Sequence, residues 1–553
     1  MPSIVTVNVS VTEAPTPNTL LGTGAMISQG ATNTSPGTKT LLTQPSSLTP
    51  ILGGSKTLAT LTQATGLATA TATLAHGFTV GDTLEITIAG ATPVAYNGTF
   101  LCTVTTTTAF TYAVPSGTAS SATGSPAYTV EDVAELSAMV NTFFSQGGNT
   151  AVYVLELGAG SASDGVAALG AWITANPPGI PQGNGFYGFY SYLVPRTWDA
   201  NSDFLTLLAS YESTTALTYF WVTTTLATYS AYTAQMKCVK AMIEAPTYGV
   251  WPANALTAIS YTGGLATATT TAAHGIAVGQ WFQISGCTPA GYNGWWQAVT
   301  GTTGSTLVYA IATNPGAESA LGTLVQSQYS SAGVPATEFS RAAGWHVTLS
   351  YAPSSSNRVT PYNYSFVYGV TPFPTQGNNA LLTTLLAANI EVVGTGAEGG
   401  LSNTIAYGGN FLDGNTVNWW YAIDWLNINS HLNLANFVIN GSNNPQAPLY
   451  LNQDGINSGQ AVVASTISSG ITFGMIFGSL AQVELSGPAF AAASSAGTYA
   501  GQAVVNAVPF ATYYAASPSD YKIGLYGGYS ISFTPQRGFD NIVLNINATQ
   551  FVG

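Results

Sequence analysis

The sequence predicts an α/β core, a layered and mostly parallel sheet with helices. Two small all-β modules are inserted into it, and strand-like arms extend from both termini. Three observations predict this. Between residues 130 and 254, strand patterns alternate with helix patterns, the order that builds parallel layered sheets. A Thr/Val/Ala/Gly-rich stretch occurs twice, once on each side of that run. Both chain ends alternate apolar and polar residues with period two, the strand signature.

The N-terminal arm, 1–15, carries Val5, Val7, Val9 and Val11 on one face, with Thr6, Asn8 and Ser10 between them. A Thr/Gly/Pro-rich stretch follows to Gly54, with Gly22, Gly24, Gly30 and Gly37 as turn positions. Then the repeat begins. Gly66-Leu67-Ala68-Thr69-Ala70-Thr71 recurs as Gly264-Leu265-Ala266-Thr267-Ala268-Thr269, Ala75-His76-Gly77 as Ala273-His274-Gly275, and Tyr96-Asn97-Gly98 as Tyr292-Asn293-Gly294. Asn-Gly is a turn signal. The two copies read as one β-sandwich or barrel module, 64–129 and 255–325. Each interrupts an α/β run, so both are expected as insertions at surface loops. The core is then discontinuous: 1–63, 130–254 and 326–553.

Thr129 predicts an N-cap with Asp132 at capping-box spacing. Val133, Leu136, Met139, Val140 and Phe143 continue at helical spacing to Gly147-Gly148. Strand 151–157, helix 165–175, strand 186–193, helix 203–213, strand 218–223, helix 227–237 and strand 239–244 follow. Beyond 326, helices are expected at 339–345 and 380–390, and within 424–438 and 460–477. An Asn-rich connector, 440–457, separates the last two. The final stretch, Tyr526–Val552, predicts a β-hairpin or strand pair. Tyr529, Ile531 and Phe533 alternate first; after the break at Thr534–Gly538, Ile542, Leu544, Ile546 and Ala548 share one face of the C-terminal arm, 538–553. Terminal strands with unpaired edges can pair at home or with a neighbour.

Composition narrows the function. The chain has 553 residues, 46% hydrophobic and 11% aromatic, but only 6% charged, against about 25% in ordinary soluble domains. Its surface is solvated by hydroxyls and amides, which suits a protein buried in an assembly or displayed outside cells. Net charge is −13 with nine scattered basic residues, so no surface that tracks nucleic-acid phosphates is expected. Cys102, Cys238 and Cys287 give neither a disulfide framework nor a metal spacing. The first Lys is Lys39 and the first stretch is strand-patterned, so no signal peptide is expected. The uncharged run 455–483 is broken by Asn457, Ser458, Gln460 and several Ser and Thr, so no membrane span is expected.

No chemistry stands out. His76 and His274 sit in equivalent turns with no further ligand at metal spacing. His346 and His431 are isolated, and no G-x-S-x-G elbow is present. Gly394–Gly400 follows a short strand but does not open into a helix, as a dinucleotide fingerprint would. It reads as a structural loop. Asp413-Gly414-Asn415 starts like a calcium loop but lacks the later ligands, and reads as a turn. No enzyme activity, cofactor or metal is expected.

Several segments resemble the contractile-tail sheath proteins of bacteriophages, the myovirus-type family. Tyr529-Ser530-Ile531, Arg537-Gly538-Phe539-Asp540-Asn541-Ile542 and Asn545-Ile546-Asn547 look like the end of that family's terminal arm region. Pro353–Thr360, Gly369–Pro374, Gly394–Gly400, and Asp413-Gly414-Asn415 followed by Trp419–Trp425 are similar to sheath-like phage proteins. The β copies are similar to small modules inserted in phage structural proteins, and are expected on the outer surface. The resemblance implies a virion subunit, assembled in the host cytoplasm, that forms a homo-oligomeric helical array of stacked rings around a tail tube protein. Baseplate and tail terminator proteins would be its other partners. Arms would add strands to neighbours' sheets, and contraction would drive the tube through the envelope. The competing readings are a surface, S-layer or adhesin-like protein, suggested by the composition and repeated modules, and an α/β hydrolase, which lacks a motif.

Overall fold

The computed structural model describes residues 20–539 apart from 77, 79, 82, 115–117, 149, 179–187, 214, 233–235, 245–253, 272–273, 275–277, 279–280, 312, 327–337, 374–378 and 396–402. The chain divides into two compact units. Gly24–Ser350 and Tyr362–Asn415 form the larger; Met1–Thr23, Tyr351–Pro361 and Thr416–Gly553 form the smaller. The stretches expected as one discontinuous core are therefore shared between two units.

In the larger unit, β1 (Gly24–Ser28) and β2 (Lys39–Leu42) precede the first β module. Its strands are β3 (Lys56–Ala64), β4 (Leu67–Ala72), β5 (Thr83–Thr92), β6 (Gly98–Val104), β7 (Ala109–Ala113) and β8 (Thr123–Val130). They close into a barrel in the order β3-β4-β7-β6-β5-β8. Alternation turns Leu61, Ala68, Ala70, Ile86, Phe110, Tyr112 and Tyr128 inward. The barrel starts at Lys56 rather than 64, because Lys56 and Thr57 pair with Tyr128 and Ala127 to close it.

The α/β run follows: α1 (Glu131–Ser145), β9 (Val152–Glu156), α2 (Ala162–Ala175), β10 (Ser191–Leu193), α3 (Ser202–Ala209), β11 (Tyr219–Thr224) and β12 (Val239–Ile243). The sheet order is β12-β11-β10-β1-β9-β2. Every pairing is parallel except β2 with β9. Helices α2 and α3 bury Val166, Leu169, Ile173, Phe204 and Leu208 in one core with the sheet, while α1 and α4 (Ser340–Leu349) pack on each other and on β1, β10 and β11. Thr129 does not cap α1. Its backbone pairs with Thr87 in the barrel, and α1 starts at Glu131 without a side-chain cap. The helix expected at 227–237 is a single 3-10 turn, Tyr229–Tyr232, among the described residues.

The second module has β13 (Asn254–Thr262), β14 (Leu265–Thr270), β15 (Trp281–Ser285), β16 (Gly294–Gln297), β17 (Thr306–Ala310) and β18 (Thr323–Gln326). They run in the order β16-β15-β18-β13-β14-β17, and an Ala298–Tyr309 bridge links the two ends. The repeated Tyr-Asn-Gly is not a simple hairpin turn. Asn97 binds both the N–H and the carbonyl of Ala91, and Asn293 does the same at Cys287. The Tyr96 and Tyr292 hydroxyls tie down Ala119 and Gly316 carbonyls. The unit finishes with α5 (Asn379–Ala387) and the antiparallel pair β19 (Val392–Thr395) and β20 (Thr404–Tyr407).

The smaller unit contains α6 (Val417–Ser442), α7 (Gln453–Thr472), β21 (Ile476–Phe477), β22 (Ser479–Val483), α8 (Gly487–Ser495), β23 (Gln502–Ala507), α9 (Phe510–Ala516), α10 (Pro518–Lys522), β24 (Tyr529–Ser532) and β25 (Thr534–Pro535). Thr416 caps α6 by accepting the Trp419 N–H, and Asn452 caps α7 by accepting that of Gly455. Both helices run into the Asn-rich segment, so the connector is shorter than its composition predicts. No helix among the described residues is long and apolar enough to cross a membrane.

Candidate assembly edge

The smaller unit is built on a three-stranded sheet, β22-β23-β24. Strand β23 is central and buried from Ala503 to Ala507. It is parallel to β22 and antiparallel to β24. Helix α7 lies against it: Gln460 Nε2 donates to the carbonyls of Val483 and Val505, at 2.9 and 3.0 Å, and the Tyr529 hydroxyl donates to Ile456 O at 2.8 Å. Asn506, also buried, holds Leu485 by both its N–H and its carbonyl.

Among the described residues no strand pairs with the outer edge of β22 or of β24. Ser479 donates its N–H to Gly501 O at 3.3 Å, which turns the amides of Leu480 and Gln482 away from β23. Val508 donates to Gly528 O at 3.1 Å, so the amides of Tyr529 and Ile531 point outward in turn. Each edge therefore presents alternate N–H and C=O groups that another strand can satisfy. Strand β24 leads through β25, which pairs with β21, straight to the C-terminal arm.

The arm residues, Val5, Val7, Val9 and Val11 and Ile542, Leu544, Ile546 and Ala548, lie outside the described residues. The first half of the expected terminal strand pair, Tyr529–Ser532, pairs with β23. His76 and His274 are buried in separate β modules; His76 accepts the Phe78 N–H on Nδ1 at 3.1 Å. His346 of α4 packs on Phe143 of α1 with ring centroids 4.8 Å apart, and burial lowers the histidine's pKa. His431 lies on α6. Asp413 accepts both the backbone and side-chain N–H of Asn415, closing a turn before α6. The loop of Gly394–Gly400 beyond Thr395 lies outside the described residues. Among the described residues no group of three or more His, Cys, Asp or Glu could hold a metal ion.

At the carboxyl ends of β1, β9 and β10, where open α/β sheets receive ligands, the larger unit places its own side chains. Glu156 accepts from the Ser28 and Thr32 hydroxyls and from the N–H groups of Gly30, Thr32 and Gly158. Gln29 accepts the Trp198 indole N–H and donates to Ser161 O.

Sequence reasoning missed a buried ionic cluster. Glu391 receives Arg341 through both oxygens at 2.9 Å, Lys240 at 2.9 Å and the Tyr362 hydroxyl at 2.8 Å. Lys240, Arg341 and Glu391 have no exposed surface, and Arg341 also stacks over Trp221. Burial lowers Lys240 to about 8 against the pull of Glu391. Burial works to raise Glu391, yet Arg341 and Lys240 hold it below the usual carboxylate range. The available signal was Lys240 itself, a lone cation inside the apolar strand Val239–Ile243.

No protein-family profile and no curated protein matches the chain. Among solved structures, the chain is similar to the sheath tail protein Lin1278 of Listeria innocua, at 8% identity. The match covers 82% of this chain and 85% of that one, with a TM-score of 0.33.

Proposed function

We propose that this chain is the structural subunit of a phage contractile tail sheath. It polymerises helically around a tail tube by exchange of terminal strands, and contracts to drive the tube through the host envelope. The observation that carries the reading is the sheet β22-β23-β24, whose two outer edges have no partner strand among the described residues. The arms' period-two pattern supplies strands of the matching kind. Copies of itself, the tube, and baseplate and terminator proteins are its partners in the virion tail, after assembly in the host cytoplasm. Its role is mechanical, without catalysis or cofactor.

The energetics suit templated assembly. Ordering an arm of about eight residues costs roughly 1–2 kcal/mol per residue. Ladder hydrogen bonds return about 1 kcal/mol each, and burying Ile542, Leu544 and Ile546 adds roughly 1.5–3 kcal/mol apiece. One pairing is near balance, and many together are secure.

Negative-stain microscopy of the purified chain, with and without the tube protein, tests the reading. Hollow striated tubes are expected from the full-length chain. A chain lacking 542–553 is expected to fold and stay dispersed, and normal tubes from that truncation would refute strand exchange.

A further inference from the structure

The last residues of β1 and β9, Ser28 and Glu156, are partners in register. Around them the chain turns five donors onto one buried carboxylate. Glu156 Oε1 accepts the N–H groups of Gly30 and Gly158, each at 2.7 Å. Its Oε2 accepts the Ser28 hydroxyl at 2.6 Å, the Thr32 hydroxyl at 2.7 Å and the Thr32 N–H at 3.1 Å. Gly30 and Gly158 take φ of +77° and +93°, left-handed values that glycine adopts without strain. Glu156 is 1% exposed, and no cation pairs with it among the described residues. Hydroxyls and backbone dipoles hold its charge, as a nest of N–H groups holds a bound anion.

The framework of this cradle is built without the carboxylate. Leu157 donates its N–H to Ser28 O at 2.8 Å, Gly37 to Glu156 O at 2.7 Å, Gly53 to Ala31 O at 2.7 Å and Asn33 to Ile51 O at 2.8 Å. These backbone bonds fix the segments on both sides of the donors. The cradle also stands where open α/β sheets take ligands, outside the carboxyl ends of the strands at the point where their order reverses. Strand β9 lies on one side of β1 and β10 on the other. Neighbouring polar groups there are taken by the chain as well. Gln29 spans from the Trp198 indole N–H to Ser161 O, and Asp164 accepts the Ser161 N–H at the start of α2.

We infer that these donors form a binding site for a carboxylate-sized anion, and that its ligand is the chain's own Glu156. The larger unit is thereby closed to free anions at the position where its class of fold receives them. Binding costs a free ion its translational and rotational freedom, which a tethered carboxylate has already given up, so the internal ligand wins. The inference does not depend on the sheath reading.

Circular dichroism melts of the full chain test it, comparing wild type, Glu156→Ala and Glu156→Gln in sodium chloride and in sodium acetate at equal pH and ionic strength. Glu156→Ala removes the heavy atoms of one acetate ion and leaves the cradle empty. Glu156→Gln fills the cradle but sets an NH2 group against its donors. Both variants are expected to melt about 5 °C or more below wild type in chloride. Acetate should then restore about half of that loss or more in Glu156→Ala, saturably, because it binds only the folded state. Wild type and Glu156→Gln should not respond. No acetate effect on Glu156→Ala, or an equal effect on all three proteins, overturns the inference. Should Glu156→Ala be unfolded in chloride, refolding in acetate is the expected result, and failure to refold there overturns the inference. Hydrogen exchange of the wild type needs no variant: the amides of Gly30, Thr32 and Gly158 are expected to be protected, and exchange at the rate of exposed loop amides overturns the inference as well.

Discussion

The two units differ in where they place charge and in what covers a strand edge. The larger buries Lys237, Lys240 and Arg341. Lys240 and Arg341 converge on Glu391 without exposed surface, and Lys237 is buried with its ammonium on the carbonyls of Ser213 and Ala216. It also covers the β12 edge of its main sheet. Glu391 exchanges backbone bonds with Ala241 and Ile243, and Leu412 donates to Val239. The smaller unit keeps Arg358, Lys522 and Arg537 exposed and leaves both edges of its sheet without a strand among the described residues. A strand edge without a partner is where another strand can add.

The contrast breaks most sharply at Glu391. Glu391→Gln leaves two buried cations without their carboxylate and is expected to destabilise the larger unit by about 3–5 kcal/mol, read by urea denaturation through tryptophan fluorescence. An unchanged midpoint would mean that the cluster is not part of what holds this unit together.

Lys240 gives a pH signature of similar size. Its folded pKa, about 8, lies below the ordinary lysine value of 10.5. Between those values the unfolded chain binds more protons than the folded one, so stability rises with pH through that window, by roughly 3 kcal/mol. Lys240→Met is expected to flatten the rise. Urea midpoints at pH 7.5, 8.5 and 9.5 for both proteins check it.

Gly344 is the next step down. A Cβ there would meet Arg341 Nη2, the Tyr362 hydroxyl and Glu391 Oε1, so Gly344→Ala overpacks the cluster and is expected to cost about 1–3 kcal/mol. The smallest effect belongs to the smaller unit. Gln460→Leu removes two hydrogen bonds between α7 and the sheet and should cost about 1–2 kcal/mol. Hydrogen exchange should show faster opening of β22, with the larger unit unchanged. Equal loosening of both units would erase the distinction drawn between them.

Much of the fold was legible because the signals are local. The helix expected at 165–175 is α2, Ala162–Ala175, and the buried strand expected at 151–157 is β9, Val152–Glu156. The errors fell where distant partners decide. Thr129 has a cap's chemistry, yet its backbone is claimed by Thr87 far back in the chain. Asn97 and Asn293 read as turn residues, and each side-chain amide also reaches back six residues, to Ala91 and Cys287.

The sequence by itself determined the alternation of strands and helices, the duplicated module and the strand-patterned ends, since each follows from periodicity or repetition along the chain. Only the tertiary structure decided that two units share the expected core. It alone joined Lys240, Arg341 and Glu391 into one cluster. It also decided which strand edges have no partner among the described residues. These are contacts between residues far apart in sequence, selected by the packing of whole elements, and no local pattern encodes them.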